Sequence, residues 1–295
     1  MQTRILFDFN NLFMRHLFLR QVNVKRNPQL NFLSYLIFDY IQTEVDKIED
    51  STTKEVILAQ DNPGGYWRRD IYPEYKKNRK KDETIDWPRI YDYINSFTET
   101  LSKYSPWKVL QVDKCEADDI IAVLARENTE GISIVHSGDI DYVQLASDNI
   151  RVYNPHYDGY VTFPTELKVN NGITYVESPE DFLNLYILTG QPKDNIGNIK
   201  TDTGHEGRKP PFGLKRAIKA VDDEGIEKYA EDENFKRNKQ LIDLKEIPEE
   251  IQQSILEAYR NYLEPEVNIT KILEEYPWPS VMQKAASIQE RWDNV

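Results

Sequence analysis

Three apolar runs of this chain each end in an aspartate: Arg4-Ile-Leu-Phe-Asp8, Val56-Ile-Leu-Ala-Gln-Asp61 and Ile132-Ser-Ile-Val-His-Ser-Gly-Asp139. A fourth acidic group, Glu116-Ala-Asp118-Asp119, opens an apolar helical stretch just before the third run. Short β-branched runs separated by helical patterns predict parallel strands. Ligands of an open parallel sheet bind beyond the carboxyl ends of its strands. Carboxylates scattered over more than a hundred positions are therefore expected to meet at one edge. Like charges raise each other's pKa, so such a cluster calls for cations. An all-oxygen ligand set suits a hard metal, Mg2+ or Mn2+, and the expectation is a metal-dependent enzyme.

The elements that must hold these residues follow from pattern. Strands are expected at 4–8, 55–60, 107–112, 132–135 and 150–153, and helices at 31–48, 87–104 and 116–127. Asp61-Asn-Pro-Gly-Gly65 reads as a loop, and the segment that follows, to about Asp86, has no clean period and is expected to be a mobile loop or arch. Ser178 is placed to cap a helix that has proline at its first position and ends at Gly190. Beyond a long Gly/Pro/Lys-rich connection, a short helix is expected at 214–221 and a charged helical remainder from about 227 to 293. On an ideal helix residues 116 and 119 share a face and 118 points away, so Glu116, Asp118 and Asp119 cannot all converge on one ion.

A length of 295 residues suits one α/β domain with a helical extension, or two domains. With 39% hydrophobic and 12% aromatic residues the chain can build a core. No run approaches a membrane span, and no basic-then-apolar leader opens the sequence. The single cysteine, Cys115, excludes an internal disulfide and points to a reducing compartment. His16, His136, His156 and His205 lack zinc spacing.

Net charge is −13, yet seven basic and two acidic residues fall between Arg68 and Lys81, and a second basic stretch runs from Arg208 to Lys219. Local patches set the field at a binding face. The first patch is interleaved with Tyr66, Trp67, Tyr72 and Tyr75, a composition suited to stacking on bases beside phosphate contacts.

Five stretches, in order, resemble the 5′-nuclease family of flap endonucleases, polymerase-linked 5′-nucleases and phage ribonuclease H. They are Phe7-Asp8-Phe-Asn-Asn11; Asp61 with Tyr66-Trp-Arg68-Arg69-Asp-Ile-Tyr-Pro-Glu-Tyr75-Lys76-Lys77-Asn-Arg79; Cys115-Glu116-Ala-Asp118-Asp119; Ser137-Gly-Asp139-Ile-Asp141; and Leu188-Thr-Gly190-Gln-Pro-Lys-Asp194-Asn-Ile196. Length, the insertion after Ile196 and the helical C-terminus are most similar to the T-even-like phage enzymes. The resemblance implies an α/β fold with a PIN-like, mostly parallel sheet flanked by helices over residues 1–177, with a basic arch at about 62–86. A smaller helical region at 178–295 would carry a helix–three-turn–helix DNA-binding motif.

The resemblance further implies that Asp8, Asp61, Glu116, Asp118, Asp119, Asp139, Asp141 and Asp194 hold two Mg2+ ions, directly or through waters, with Mn2+ able to substitute. Lys76 and Arg79 would act on the scissile phosphate alongside Asp139. Arg68, Arg69, Tyr75, Lys77, Lys80, Lys81 and Lys215 would bind nucleic acid, with Tyr75 stacked on a base. The implied activity is 5′→3′ exonuclease, ribonuclease H and flap cleavage on RNA–DNA hybrid, duplex and flap DNA, removing lagging-strand primers in the cytoplasm of an infected bacterium. A monomer that meets a single-strand DNA-binding protein and a sliding clamp is expected. Asp148, Asp158 and Asp202 match no motif position and are assigned to structure. One departure stands out: where most of the family has an aspartate after the glycine of the fifth motif, this chain has Gln191, a poorer ligand for a hard cation. Two rivals remain at this point. A topoisomerase–primase-type metalloenzyme does not account for the stretch from Asp61 to Arg79. A non-catalytic accessory that binds branched DNA would be expected to have lost more of the acids.

Overall fold

Five parallel strands and one antiparallel edge strand form the central sheet: β1 (Gln2–Asp8), β2 (Thr53–Ala59), β3 (Lys108–Leu110), β4 (Ile132–His136), β5 (Ile150–Asn154) and β6 (Gly159–Tyr160), in the order β3-β2-β1-β4-β5-β6. The computed structural model describes residues 2–19, 29–48, 53–201 and 212–293. Within β1, Ile5, Leu6 and Phe7 are all fully buried because helices cover both faces of the sheet. Ile5 and Phe7 pack with Val56 and Leu58 on one side, against α1 (Phe9–Leu19), α2 (Leu30–Asp46) and a helix at Trp87–Tyr104. Leu6, Ile57, Ala59 and Val135 face the other side, against a helix at Ala117–Glu127. A short helix, α3 (Arg68–Ile71), precedes these two, which are α4 and α5.

Register aligns the strand ends. Asp8 lies opposite Ala59, Phe7 opposite His136, and His136 opposite Tyr153. Asp8, Asp61 and Asp139 therefore leave the same edge. The strand order reverses direction between β1 and β4, the switch point where an α/β sheet opens a crevice. The buried Arg4 ties this layer together: it donates to Glu55 on β2 at 2.8 Å, to Glu127 at 2.8 Å and the Leu124 carbonyl at 2.7 Å on α5, and to the Tyr259 hydroxyl at 2.6 Å.

The rest of the chain is a hairpin and helices. Strands β7 (Thr165–Val169) and β8 (Gly172–Val176) pair antiparallel and pack with α6 (Pro179–Thr189), α7 (Leu214–Lys219) and α8 (Glu233–Ile242) in a third cluster. Helix α9 (Glu249–Arg260) lies on α5. The last three helices, α10 (Ile269–Glu275), α11 (Pro279–Met282) and α12 (Ala285–Asp293), return to the first cluster, where Trp278 and Trp292 stack around Phe38. The predicted caps are in place: Ser178 Oγ accepts the Asp181 N–H at 3.1 Å, and Gly190 takes a positive φ of 68°. An alanine there would meet the Gly197 carbonyl at 2.3 Å. Helix α1, which follows β1 without a break, and strands β6 to β8 were not among the expected elements. Asp202, His205, Arg208 and Lys209 lie outside the described residues, and no helix among those described is long and apolar enough to cross a membrane.

His136 ends β4 between the rings of Phe7 and Tyr153, at 4.7 and 4.9 Å, with Nδ1 buried and unpartnered. Burial pushes its pKa down to about 3. As pH falls, the unfolded chain takes up this proton first, so the stability present above about pH 6.5 is lost below it. His136→Phe keeps a ring in the slot and should gain on wild type by up to about 1.4 kcal/mol per pH unit below about pH 6.5, read by urea unfolding at several pH values. Parallel stability curves would mean that the buried ring accepts a proton freely.

Candidate active site

The aspartates at the strand ends are held by the starts of helices and turns. Asp8 Oδ1 accepts the Asn11 N–H at 2.9 Å in the first turn of α1, and Oδ2 accepts from the Tyr142 hydroxyl at 3.0 Å and from Ser137 Oγ at 3.4 Å. Asp61 Oδ1 accepts the Ala117 N–H at 2.8 Å, which moors the end of β2 to the start of α5. Asp139 Oδ1 accepts the Asp141 N–H at 3.1 Å and so caps the 3-10 turn Ile140–Leu145. Gly138 allows the close approach: a Cβ there would lie 2.7 Å from His156 Nε2 and 3.2 Å from Asn11 Oδ1.

Burial, then the charge of Asp61, raises Asp8 to about 7. Burial and the charge of Asp139 raise Asp141 to about 6, and burial also lifts Asp61. Asp118 is pushed well above the usual carboxylate range by burial and by its acidic neighbours Asp119 and Glu116, although Arg68 opposes this; its Oδ1 is buried without a hydrogen-bond partner. Among the described residues no three His, Cys, Asp or Glu side chains stand together as a ready ligand set. The chemistry nevertheless fits a divalent cation: hard oxygen donors, carboxylates that resist ionising beside one another, and an Asp118 Oδ1 that has no hydrogen bond and only Arg68 Nη1 at 3.6 Å. Asp8, Asp61, Asp118 and Asp139 are the residues that would hold it.

Three residues given site roles by the resemblance, among them Arg68, also expected to support the arch, turn their side chains inward in this structure. Asp119, expected as a metal ligand, is fully buried and forms a capping box with Glu116. Its Oδ2 accepts from the Glu116 N–H at 2.9 Å, Trp67 Nε1 at 3.0 Å and Arg68 Nη1 at 3.1 Å. Arg68, expected to face nucleic acid, is 2% exposed and lies inside, with Nη2 at 2.9 Å from Asp119 Oδ1, Nη1 at 3.1 Å from Glu116 Oε2, and Nε on the Leu241 carbonyl at 3.0 Å. Tyr75, expected to stack on a base, is 3% exposed and donates its hydroxyl to Glu116 Oε2 at 2.8 Å. Trp67 and Tyr72 are buried too, so most of the aromatics among the cations are packing residues. Glu116 carries Arg68, Tyr75 and Lys76 on its two oxygens and meets the site through them.

Lys76 and Arg79 do reach the acids. Lys76, with φ 58°, donates its side chain to Glu116 and its backbone N–H to the Asp194 carbonyl at 2.9 Å. Arg79 meets Asp194 Oδ1 at 2.5 Å with its guanidinium half-exposed. Outside this line, Arg69, Lys77, Lys80, Lys81 and Lys215 are exposed, with Lys81 Nζ 4.6 Å from the Tyr91 ring centre and Lys77 paired to Glu74. The base of the arch is thus built into the fold, and its exposed basic part starts near Lys77.

Beyond Gly190 a 3-10 turn, Pro192–Asp194, brings the fifth motif to Asp139 and Asp141. Gln191 Nε2 donates to Asp141 Oδ1 at 2.9 Å, and Lys193 Nζ sits 3.0 Å from Asp139 Oδ1 and 2.9 Å from Asp141 Oδ2. Burial alone would raise Asp139, but Lys193 holds it below its ordinary value. Lys193 and Tyr142 had no expected role. Lys193 lies within a quoted motif, but its sequence neighbours do not show that it turns toward acids fifty residues earlier.

Carboxylates gathered at the switch point of a parallel sheet, faced by an exposed basic ridge, form the working edge of a carboxylate-dependent nuclease. Residues 3–172 match the 5′-3′ exonuclease, N-terminal resolvase-like domain, and residues 177–288 match the T4 RNase H, C terminal domain. The chain belongs to this 5′-3′ exonuclease family, enzymes that act on phosphodiester bonds. It is 30% identical to the ribonuclease H of Enterobacteria phage T4 over 258 residues, covering 82% of this chain and 81% of that one. Among solved structures, the bacteriophage T5 flap endonuclease in a pseudo-enzyme–product complex with DNA and metal ions aligns with a TM-score of 0.57 and 19% identity, over 88% of this chain and 100% of that one. The T5 5′-exonuclease with bound zinc aligns with a TM-score of 0.60 and 18% identity, over 88% and 99%. These two alignments establish the shared fold.

Removing the Arg68 guanidinium leaves Asp119 buried with its main counter-charge gone and Glu116 with Lys76 as its remaining cation. Arg68→Met should cost roughly 3–5 kcal/mol of unfolding free energy in urea, the scale of breaking a buried ion pair from one side. A loss under about 1 kcal/mol would mean that the acids are solvated or already neutral, and that Arg68 is not their partner.

Proposed function

We propose that this protein is a divalent-cation-dependent 5′→3′ nuclease acting on RNA–DNA hybrid, duplex and flap DNA, and that it removes RNA primers during phage DNA replication in the infected cell. Mg2+ is the proposed cofactor, with Mn2+ able to substitute. The nuclease part is assigned to residues 1–177 and the DNA-binding helical part to 178–295. Contacts with a single-strand DNA-binding protein and a sliding clamp belong to the same reading. The observation that carries it is the meeting of Asp8, Asp61 and Asp139 at one sheet edge beside Lys76 and Arg79. The phage T4 relative, a ribonuclease H, and the phage T5 relative, a flap endonuclease, support hybrid and flap substrates.

A bound divalent ion would neutralise the phosphate and lower the pKa of an attacking water. The chain supplies the rest. Asp8, Asp61, Asp118 and Asp139 would hold the ion, and the N-termini of α1 and α5 hold two of these carboxylates, Asp8 and Asp61, still. Lys76 and Arg79, each already on an acid, present positive charge where a backbone phosphate would enter. Lys77, Lys80 and Lys81 neutralise flanking phosphates.

Asp8→Asn and Asp139→Asn should nearly abolish cleavage of a 5′-labelled RNA–DNA hybrid and of a flap substrate, as EDTA should for wild type, while affinity for the same substrates stays equal or rises with the loss of negative charge. Near wild-type cutting by either variant in Mg2+ would sink the assignment. Lys76→Ala should slow single-turnover cleavage about a hundredfold, the scale of one lost transition-state contact. Replacing Lys80 and Lys81 together by alanine should instead weaken binding and flatten its salt dependence by roughly one unit of slope per lysine. Equal, small effects from both changes would reduce the stretch to a basic surface.

A further inference from the structure

The two ends of the acidic cluster are compensated differently. At one end, Asp8 and Asp61 accept hydrogen bonds from neutral groups: the Asn11 and Ala117 N–H groups, the Tyr142 hydroxyl and Ser137 Oγ. At the other end, Asp139 and Asp141 share one ammonium, with Lys193 Nζ 3.0 Å from Asp139 Oδ1 and 2.9 Å from Asp141 Oδ2. Arg79 covers Asp194 in the same turn. Among the described residues no cationic side chain is hydrogen-bonded to Asp8 or Asp61, and Lys76 and Arg79 reach Asp61 only through space, whereas the other end has two cations in direct contact.

The turn that delivers Lys193 is fixed by its backbone. The Asp194 and Ile196 N–H groups both donate to the Gln191 carbonyl at 3.0 Å, Pro192 opens the turn, and the Asn195 N–H returns to the Pro192 carbonyl. Gln191 is 4% exposed and points its amide N–H at Asp141 Oδ1, so it offers a donor where a metal ion would need an acceptor. An ammonium bridging two carboxylates, in a place that also lacks a third anionic ligand, is an alternative to an ion. It is tethered, so occupying the site costs it no loss of free translation.

We propose that the Lys193 ammonium is the resident cation of the second position, between Asp139 and Asp141, so that the protein without substrate takes up one divalent ion, at the Asp8–Asp61 end. The inference rests on the divalent-cation reading above. It makes Lys193 a positioning residue that decides how many ions the free site holds, and it assigns Gln191 to the same device: the amide secures Asp141 for the lysine rather than for a metal.

The test counts ions without turnover. Mn2+ is titrated into substrate-free protein, and the electron paramagnetic resonance signal of the unbound ion gives the stoichiometry. Wild type and Lys193→Arg, which keeps the charge, should bind one equivalent. Lys193→Gln should bind two, with affinity for the second ion improved by roughly tenfold or more, as expected from removing a unit charge a few ångströms away. Adding Asp8→Asn to Lys193→Gln should return the count to one. Lys193 is substantially exposed, so these variants should keep the fold, which circular dichroism checks. Two equivalents in wild type, unchanged in Lys193→Gln, would overturn the inference and leave the divalent-cation reading intact. No bound Mn2+ in any folded variant would overturn that reading and this inference with it.

Discussion

Carboxylates buried side by side cannot all stay ionised unless positive charge is brought to them, and the architecture of this protein follows from how that is done. The parallel sheet makes the problem: its register brings Asp8, Asp61 and Asp139 out at one edge, and the start of α5 adds Glu116, Asp118 and Asp119. Three kinds of compensation are visible. Arg68 is a buried guanidinium spent on Glu116 and Asp119. Lys76, Arg79 and Lys193 arrive from later segments and pair with Glu116, Asp194, Asp139 and Asp141. Asp8 and Asp61 receive only neutral donors, and that is where a free cation has most to gain.

Such a division also couples the arch to the acids. Under the proposed function, Lys76 and Arg79 turning to an incoming phosphate would loosen their pairs with Glu116 and Asp194, which would link substrate binding to the release of those carboxylates. The buried half of the segment, Trp67, Arg68, Tyr72 and Tyr75, anchors it against α5 and the Leu241 carbonyl, which leaves the residues from Lys77 onward as the exposed part.

Much of this was legible in the sequence. Runs such as Ile5-Leu-Phe and Val56-Ile-Leu are apolar without alternation because both faces of a parallel sheet are covered, and their terminal aspartates therefore mark the working edge. Helix α4 spans Trp87–Tyr104, the bounds its apolar pattern predicts, with Asp86 as its N-cap. Helix α1 was hidden for a physical reason: its cap is Asp8 itself, so no separate turn residue announces it. The β7–β8 hairpin turns at Asn170-Asn-Gly172, but Ile173 and Tyr175 are apolar residues on its exposed face, so its sequence lacks the alternation that would have marked a half-buried strand. For the basic–aromatic segment no periodicity separates inside from outside. Composition alone could not tell that Arg68 and Tyr75 point inward while Lys80 and Lys81 point out.

Every acid of the site has been placed in the chain by Asp194, yet the core under the first strand closes only with Trp278 and Trp292, which pack on Phe38, Phe97 and Trp107. A nascent chain that has already produced all the site residues still exposes that apolar face of α2 and α4. Domains fold as units during synthesis, at a rate set by the sequence separation of their contacts. The hydrogen bond from Trp292 Nε1 to Gln42 joins residues 250 positions apart, so this side of the sheet reaches its packed form only once α10 to α12 have been made. The scaffold under the site is thus completed by residues that come well after the last of its acids.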